Sequence, residues 1–298
     1  MKYATWTTTD GTETWGAITD HDLVDAAMAL HFAKMDPIGS LGALIAAGDP
    51  KLWARVADAL SSAPVAYSLD SVRLSVPYRP SGTIFAVGAN YADHAEEARK
   101  AGALDGLPDR PIIFSKALSS VCGPDCDIEL WPKLTQELDY EVELGAIIGI
   151  GGRAIPASTA LDHVFGYTVV NDISARDVQQ GRPGGQWFLG KSMDTFCPIG
   201  PWIVTADEIG NVHALDITLT LNGELRQKSD TGFLLFPVDE LISEISNYAT
   251  LSPGDLIATG TPAGVGASAT PPRFLADGDV LEASVANIGT LRSRIVRQ

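Results

Sequence analysis

The segment 138-LDYEVELGAIIG-149 carries three carboxylates on alternate residues, Asp139, Glu141 and Glu143. Its apolar content predicts a β-strand, in which these side chains share one face at spacings of about 7 Å. Like charges this close repel one another unless a cation or protons lie between them. Carboxylate oxygens favour a hard divalent cation over zinc, so we expect Mg²⁺, with Mn²⁺ or Ca²⁺ as alternatives. The competing interpretation is a solvated edge strand with its acids facing outward.

Three other sites could contribute to the same chemistry. Asp172 follows the apolar run 166-GYTVVN-171, where it could complete a metal site or simply cap a helix. Lys191 lies in a lightly charged stretch and is either an anion-binding residue or a surface lysine. The glycine-rich turn 259-TGTPAGVG-266 could bind an anion through its backbone N–H groups, or could be only a tight turn.

His94 and Glu97 are three residues apart on a predicted helix and therefore neighbours on one face. A carboxylate beside a histidine orients the ring and raises its basicity, which makes a general-base dyad. An exposed His–Glu pair without a catalytic role is the alternative. Either Asn90 or Asp93 is the predicted cap of this helix.

The elements that would position these residues are mainly short strands separated by Gly, Pro and Asp turns. Asn222-Gly223 predicts a tight hairpin, and 237-PVDELISEISNYAT-250 predicts an amphipathic helix. Without regular βα alternation, the pattern indicates a strand-rich α+β protein. Residues 1–75 combine a hairpin pattern with helical spacing, which predicts a small N-terminal α/β domain. A Pro- and Gly-containing linker then begins a catalytic domain of residues 76–298.

Composition narrows the partners and the compartment. The 298 residues include 37 acids against 21 bases, a net charge of −16 that disfavours nucleic acids and anionic membranes. The polar N-terminus predicts no signal peptide, and no 18-residue apolar window predicts a membrane span. Three cysteines, an odd and sparse number, indicate reduced thiols. We therefore expect a cytoplasmic protein.

Residues 80–298 resemble the fumarylacetoacetate hydrolase family. Six motifs that carry the resemblance occur in the family's order: VGANYADHAEE, PIIFSKALSSVCGP, LDYEVELGAIIG, VVNDISARDVQ, GGQWFLGKSMDTFCPIGPWIVT and PGDLIATGTPAGVG. The resemblance implies a mixed β-sandwich roll with peripheral helices, usually assembled as a homodimer. It points to the branch of acylpyruvases, oxaloacetate decarboxylases and 2-hydroxyhepta-2,4-diene-1,7-dioate isomerases.

The resemblance also implies roles for individual residues. The metal ligands would be Glu141, Glu143 and Asp172, and Asp139 would lie just outside them. The catalytic residues would be the His94–Glu97 dyad and Lys191. The residues expected to bind substrate are Gln179, Thr261, Arg176 and Gly260. The segment 96-EEARKAGALDGLPDR-110 resembles the family's lid, which orders when substrate binds.

The implied activity is metal-dependent hydrolysis of a carbon–carbon bond in a 2,4-dioxo acid. The substrate would be an acylpyruvate such as fumarylpyruvate or acetylpyruvate, cleaved through a metal-stabilised pyruvate enolate. The same enolate chemistry leaves open oxaloacetate decarboxylation, and isomerisation or hydration of 2-oxo-enoic diacids in aromatic or sugar-acid catabolism. A catalytically silent binding protein for 2-oxo acids is the alternative from another class.

Overall fold

Strands outnumber helices in the computed structural model, which describes residues 1–100 and 106–298. Residues 101–105 of the predicted lid lie outside the described residues. The strands are β1 (Lys2–Thr7), β2 (Glu13–Thr19), β3 (Asp22–Asp25), β4 (Tyr67–Ser68), β5 (Arg73–Leu74), β6 (Ile84–Gly88), β7 (Ile112–Lys116), β8 (Val121–Cys122), β9 (Cys126–Leu130), β10 (Leu138–Asp139), β11 (Val142–Ile148), β12 (Val164–Asn171), β13 (Ser174–Ala175), β14 (Cys197–Thr205), β15 (Asp216–Leu221), β16 (Glu224–Asp230), β17 (Leu256–Ala258), β18 (Val280–Val285) and β19 (Gly289–Arg297).

The helices are short and lie around the strands. They are α1 (Ala26–Phe32), α2 (Leu41–Ala46), α3 (Pro50–Ser62), α4 (Ala92–Lys100), α5 (Ala157–Ala160), α6 (Arg176–Gln179), α7 (Trp187–Gly190), α8 (Ala206–Ile209) and α9 (Val238–Tyr248). Within residues 1–100 and 106–298, none of them has the length and apolar character needed to cross a membrane.

The described strands form two large sheets and one short ladder. The larger sheet has the order β4-β3-β2-β1-β14-β12-β11-β17-β6-β7, with β5 added beside β1 and β8 beside β14. The smaller sheet has the order β16-β15-β18-β19-β9, and β10 pairs with β13. Most pairs are antiparallel, but β17–β6, β14–β8 and β19–β9 are parallel. This mixed, strand-rich arrangement confirms the predicted α+β class.

The main hydrophobic core lies between the two sheets. Leu144 and Val169 of the larger sheet share one buried cluster with Leu219 and Leu281 of the smaller sheet, and α9 adds Leu241. Burial of a side chain of this size contributes about 1.5–3 kcal/mol. The two layers are therefore held face to face, which fixes the end of β11 that carries the acidic residues.

The N-terminal residues extend the larger sheet. Lys2 of β1 pairs with Val204 of β14, and the Tyr3 ring stacks on Phe165 at a centroid distance of 5.9 Å. Tyr3 also shares a buried cluster with Ile147 of β11. The expected boundary near residue 76 thus falls within a shared sheet and core, and the division into two domains stays a prediction.

The predicted hairpin at Asn222-Gly223 is present, whereas the predicted helix cap at Asn90 is not. Asn222 and Gly223 have φ values of 54° and 80° and join β15 to β16, as predicted for a hairpin turn that needs two positive φ angles. Helix α4 begins at Ala92, but the Asn90 side chain does not cap it. The Asn90 amide instead donates to the carbonyl oxygens of Phe236 and Thr259, at 3.0 and 2.7 Å.

Candidate active site

The acidic segment is two strands, β10 and β11, rather than one continuous strand. Strand β11 begins at Val142, and residues 140–141 separate it from β10. Val142 and Leu144 point into the main core, so Glu143 lies on the opposite face of β11. The Glu141 N–H donates to the Asn171 side-chain oxygen at 3.0 Å, which fixes the backbone just before the strand.

Three carboxylates meet at this end of the larger sheet. One oxygen each from Glu141, Glu143 and Asp172 lie within 4.8 Å of one another, and all three residues are buried. Asp172 follows β12, and its N–H donates to the Glu141 carbonyl at 2.8 Å. Antiparallel pairing of β11 with β12 therefore brings Asp172 into one cluster with Glu141 and Glu143, which are 31 and 29 positions away in the sequence.

Two buried lysines contact the cluster. The Lys191 ammonium donates to Glu141 Oε2 at 2.9 Å and to Asp172 Oδ2 at 2.7 Å. The Lys116 ammonium, at the end of β7, contacts Asp172 Oδ1 at 2.5 Å and also donates to the Lys191 carbonyl. Lys116 was not predicted from the sequence. Its only signal was a lysine at the end of the apolar run PIIFSK, which is equally typical of a strand that emerges at the surface.

Asp139 belongs to a separate contact set. Its carboxylate accepts from Arg176 Nε at 2.9 Å and from the N–H groups of Gly266 and Ala267 at 2.7 and 3.0 Å. Arg176 Nη1 also pairs with Glu141 Oε1 at 2.6 Å. The prediction that three carboxylates share one face of a strand is wrong for Asp139, because the backbone leaves the strand at residues 140–141. As expected, Asp139 lies outside the cluster.

The three clustered carboxylates differ in their electrostatic surroundings. Burial would raise the pKa of Glu141, but Lys191 and Arg176 outweigh burial and lower that pKa to about 2. Burial raises the pKa of Glu143 well above its usual value, and the charges of Asp172 and Glu141 raise it further. Burial opposes the charged form of Lys191, yet its carboxylate neighbours raise its pKa above the ordinary value. Glu143 is thus the carboxylate whose charge is least compensated.

This arrangement fits a hard divalent cation. The donors are all carboxylate oxygens, and each oxygen has two lone-pair directions, so a hydrogen bond to one direction leaves the other for a cation. Within the described part of the chain, the hydrogen bond to the Glu143 carboxylate comes from Gly260 N–H at 2.9 Å. Glu141, Glu143 and Asp172 would hold the cation, and its charge would compensate Glu143.

The His94–Glu97 pair lies beside the glycine-rich turn. His94 Nδ1 is 3.4 Å from Glu97 Oε2, within the i,i+3 spacing of α4. Gly264 N–H donates to both Glu97 oxygens, at 3.1 and 3.2 Å. The turn therefore holds the carboxylate that orients the histidine, which the sequence alone did not indicate.

A cavity of about 300 Å³ has His94 of the dyad and Glu141 of the carboxylate cluster in its lining, whereas Glu97, Glu143 and Asp172 are not among its described lining residues. Six predicted site residues line it: His94, Glu141, Arg176, Gln179, Lys191 and Thr261. Apolar side chains that include Val87, Trp187 and Phe274 line the same space. Gly260 is not among the described lining residues, and its N–H donates to Glu143.

Comparison with known proteins places these features in a family. The sequence profile of the fumarylacetoacetate (FAA) hydrolase C-terminal domain matches residues 83–296. The mitochondrial oxaloacetate tautomerase FAHD2B of Bos taurus is 45% identical over 225 residues, which cover 76% of this chain and 70% of the bovine protein.

Two solved structures share the whole fold. Fumarylacetoacetate hydrolase from the psychrophile Exiguobacterium antarcticum is 39% identical, with a TM-score of 0.83 and full coverage of both chains. Maleylpyruvate hydrolase from Sphingobium sp. SYK-6, in complex with manganese(II) and pyruvate, is 29% identical with a TM-score of 0.78. The match covers 100% of this chain and 99% of that one.

Proposed function

The chain belongs to the fumarylacetoacetate hydrolase family, and we propose that it is a divalent-metal-dependent hydrolase of a small acylpyruvate. The observation that carries the proposal is one cavity lined by His94, Glu141 and Lys191, with Glu97 beside His94. A base, a ligand of the cation site and a buried ammonium along one cavity are what carbon–carbon hydrolysis through an enolate requires.

The lining of the cavity supports an acyl substrate. Arg176 and Lys191 are the cationic side chains among its described lining residues, and both already pair with carboxylates. Trp187 and Phe274 offer apolar surface in the same cavity. A substrate with one carboxylate and an uncharged acyl group matches this lining better than a substrate with two carboxylates.

Each residue has its own role in the proposed reaction. Thr261 and Arg176 hold the substrate carboxylate, and Glu97 orients His94. His94 takes a proton from water, and the resulting hydroxide attacks the distal carbonyl of the acylpyruvate. The bond between that carbonyl and C3 then breaks, its electron pair passes to the pyruvate enolate beside Lys191, and protonated His94 returns the proton to C3. A cation held by Glu141, Glu143 and Asp172 would supply Lewis-acid stabilisation of negative charge on the 2-oxo group.

Keto–enol tautomerisation of oxaloacetate is the second candidate. The bovine relative that is 45% identical carries the name oxaloacetate tautomerase, which favours this reaction. It moves one proton between C3 and the 2-oxo oxygen, with no attack by water and no cleavage of a carbon–carbon bond, so His94 could serve it in the same position.

A paired assay separates these reactions. Purified protein is given acetylpyruvate or enol-oxaloacetate, with Mg²⁺ or with EDTA, and both enol absorbance and released pyruvate are followed. We expect Mg²⁺-dependent loss of acetylpyruvate with one pyruvate formed per molecule consumed. Loss of oxaloacetate enol without pyruvate would establish the tautomerase instead, and pyruvate from oxaloacetate would indicate a decarboxylase. Inactivity towards both would contradict the proposal and direct attention to 2-oxo-enoic diacids.

A further inference from the structure

Gln227, in the edge strand β16 of the smaller sheet, connects two parts of the candidate site. Its side-chain oxygen accepts the Val142 N–H at 3.0 Å, between the predicted ligands Glu141 and Glu143. Its side-chain nitrogen donates to Thr261 Oγ1 and to the Pro262 carbonyl, both at 2.8 Å. Gln227 is fully buried, so no water competes for these bonds.

The partners fix the orientation of the Gln227 amide. A backbone N–H can only donate and a backbone carbonyl can only accept, so the amide oxygen must face Val142 and the NH₂ group must face Pro262. The second hydrogen of that NH₂ group then points at Thr261 Oγ1. Thr261 is therefore the acceptor in this contact, and its own hydroxyl hydrogen is directed elsewhere.

Thr261 lines the cavity that also contains His94 and Lys191. Among the described residues, the hydrogen bond from Gln227 is the only one that the Thr261 hydroxyl makes. Close packing maintains the contact: a Cβ at Gly264 would meet the Arg226 carbonyl oxygen at 2.1 Å, so this turn must approach β16 without a side chain.

We propose that Gln227 is a positioning residue that holds the Thr261 hydroxyl as a hydrogen-bond donor for the substrate carboxylate. The role rests on the proposed function, which gives Thr261 a carboxylate to bind. A donor that is already oriented loses little freedom when an anion arrives, and a hydrogen bond to a charged acceptor is stronger than a neutral one.

The test measures binding rather than turnover. The Mn²⁺-loaded protein is titrated with pyruvate and with methyl pyruvate, its uncharged ester, for the wild type, Gln227→Met, Thr261→Val and the double variant. Each single substitution should weaken pyruvate binding by about tenfold, which is the effect of one charge-assisted hydrogen bond. The double variant should lose the same tenfold rather than a hundredfold, because Gln227 acts through Thr261. Methyl pyruvate should be affected much less.

Each outcome has a definite meaning. Additive losses, equal losses for the acid and its ester, or unchanged binding in Gln227→Met would overturn the role of Gln227. A wild type that binds Mn²⁺ but neither pyruvate nor its ester would overturn the proposed function itself.

The control variant Gln136→Met makes the same substitution at an exposed glutamine and should bind pyruvate as the wild type does. Should Gln227→Met fail to fold, Gln227→Asn tests the same point, because its shorter amide cannot reach both Val142 and Thr261.

Discussion

Replacing Glu143 by glutamine should stabilise the metal-free protein and weaken its metal binding at the same time. The carboxylate oxygens of the cluster lie within 4.8 Å of one another. Two unit charges at that distance repel by ~3 kcal/mol at an effective dielectric constant of about 20. The Lys191 ammonium offsets part of this repulsion. We therefore expect Glu143→Gln to raise the free energy of unfolding in EDTA by about 1–3 kcal/mol, since its amide keeps the shape and removes the charge.

Added Mn²⁺ should reverse the order of stability, so that the wild type becomes more stable than Glu143→Gln. Ligand at a hundred times its Kd stabilises a native protein by about 2.7 kcal/mol. If loss of the charged ligand weakens binding by about a hundredfold, the same cation concentration stabilises the variant by only ~0.4 kcal/mol. The melting temperature of the wild type should therefore rise by several degrees with Mn²⁺, whereas that of Glu143→Gln should barely change.

Thermal unfolding with EDTA and with Mn²⁺ measures both effects, and calorimetry supplies the Kd. Glu13→Gln, at an exposed position in β2, is the matched control and should change neither quantity. A Glu143→Gln variant that is less stable than the wild type in EDTA, or that binds Mn²⁺ equally well, would refute the reasoning. The first result would mean that Glu143 is compensated without metal, and the second that it is not a ligand.

Three further substitutions test other parts of the site. His94→Ala should lower hydrolysis by about 10²–10⁴-fold with unchanged Mn²⁺ affinity by calorimetry, and unchanged turnover would contradict the dyad. Lys191→Met should abolish turnover yet tighten Mn²⁺ binding, because the Lys191 ammonium competes with the cation for oxygens of Glu141 and Asp172. Weaker Mn²⁺ binding would show instead that Lys191 orders these two carboxylates. Gly260→Ala should lower the melting temperature, because φ is +100° and the new Cβ would lie 2.6 Å from a neighbouring side chain; a wild-type melting curve would contradict this.

Local periodicity predicted the parts of the site that depend on local geometry. Alternation along a strand places Glu143 opposite Val142 and Leu144, and the structure has this arrangement. The same rule was wrong for Asp139, because the chain leaves the strand at residues 140–141. What redirects Asp139 is its contact with Arg176 and with the backbone of Gly266, and these partners are 37 and 127 residues away.

The residues missed from the sequence are those whose role depends on the order of strands in the sheets. Lys116 reaches Asp172 because β7 and β6 lie beside β17 and β11 in the larger sheet. Gln227 reaches Thr261 because β16 packs against the glycine-rich turn. Neither residue has a distinctive pattern around it, so a polar side chain on a short strand is indistinguishable from a solvated one before the sheets are assembled.

The charge of the site shows why its acids alone do not select a reaction. Among the buried side chains of the site, four carboxylates (Asp139, Glu141, Glu143 and Asp172) and three cations (Lys116, Lys191 and Arg176) give a formal sum of −1. The Glu97 carboxylate is 26% exposed and is not counted, because water screens its charge. A divalent cation changes the sum to +1, which one substrate carboxylate neutralises. A second carboxylate, as in oxaloacetate, would leave a buried negative charge. The charge balance therefore favours a mono-anionic acylpyruvate over a diacid as the substrate of the proposed reaction.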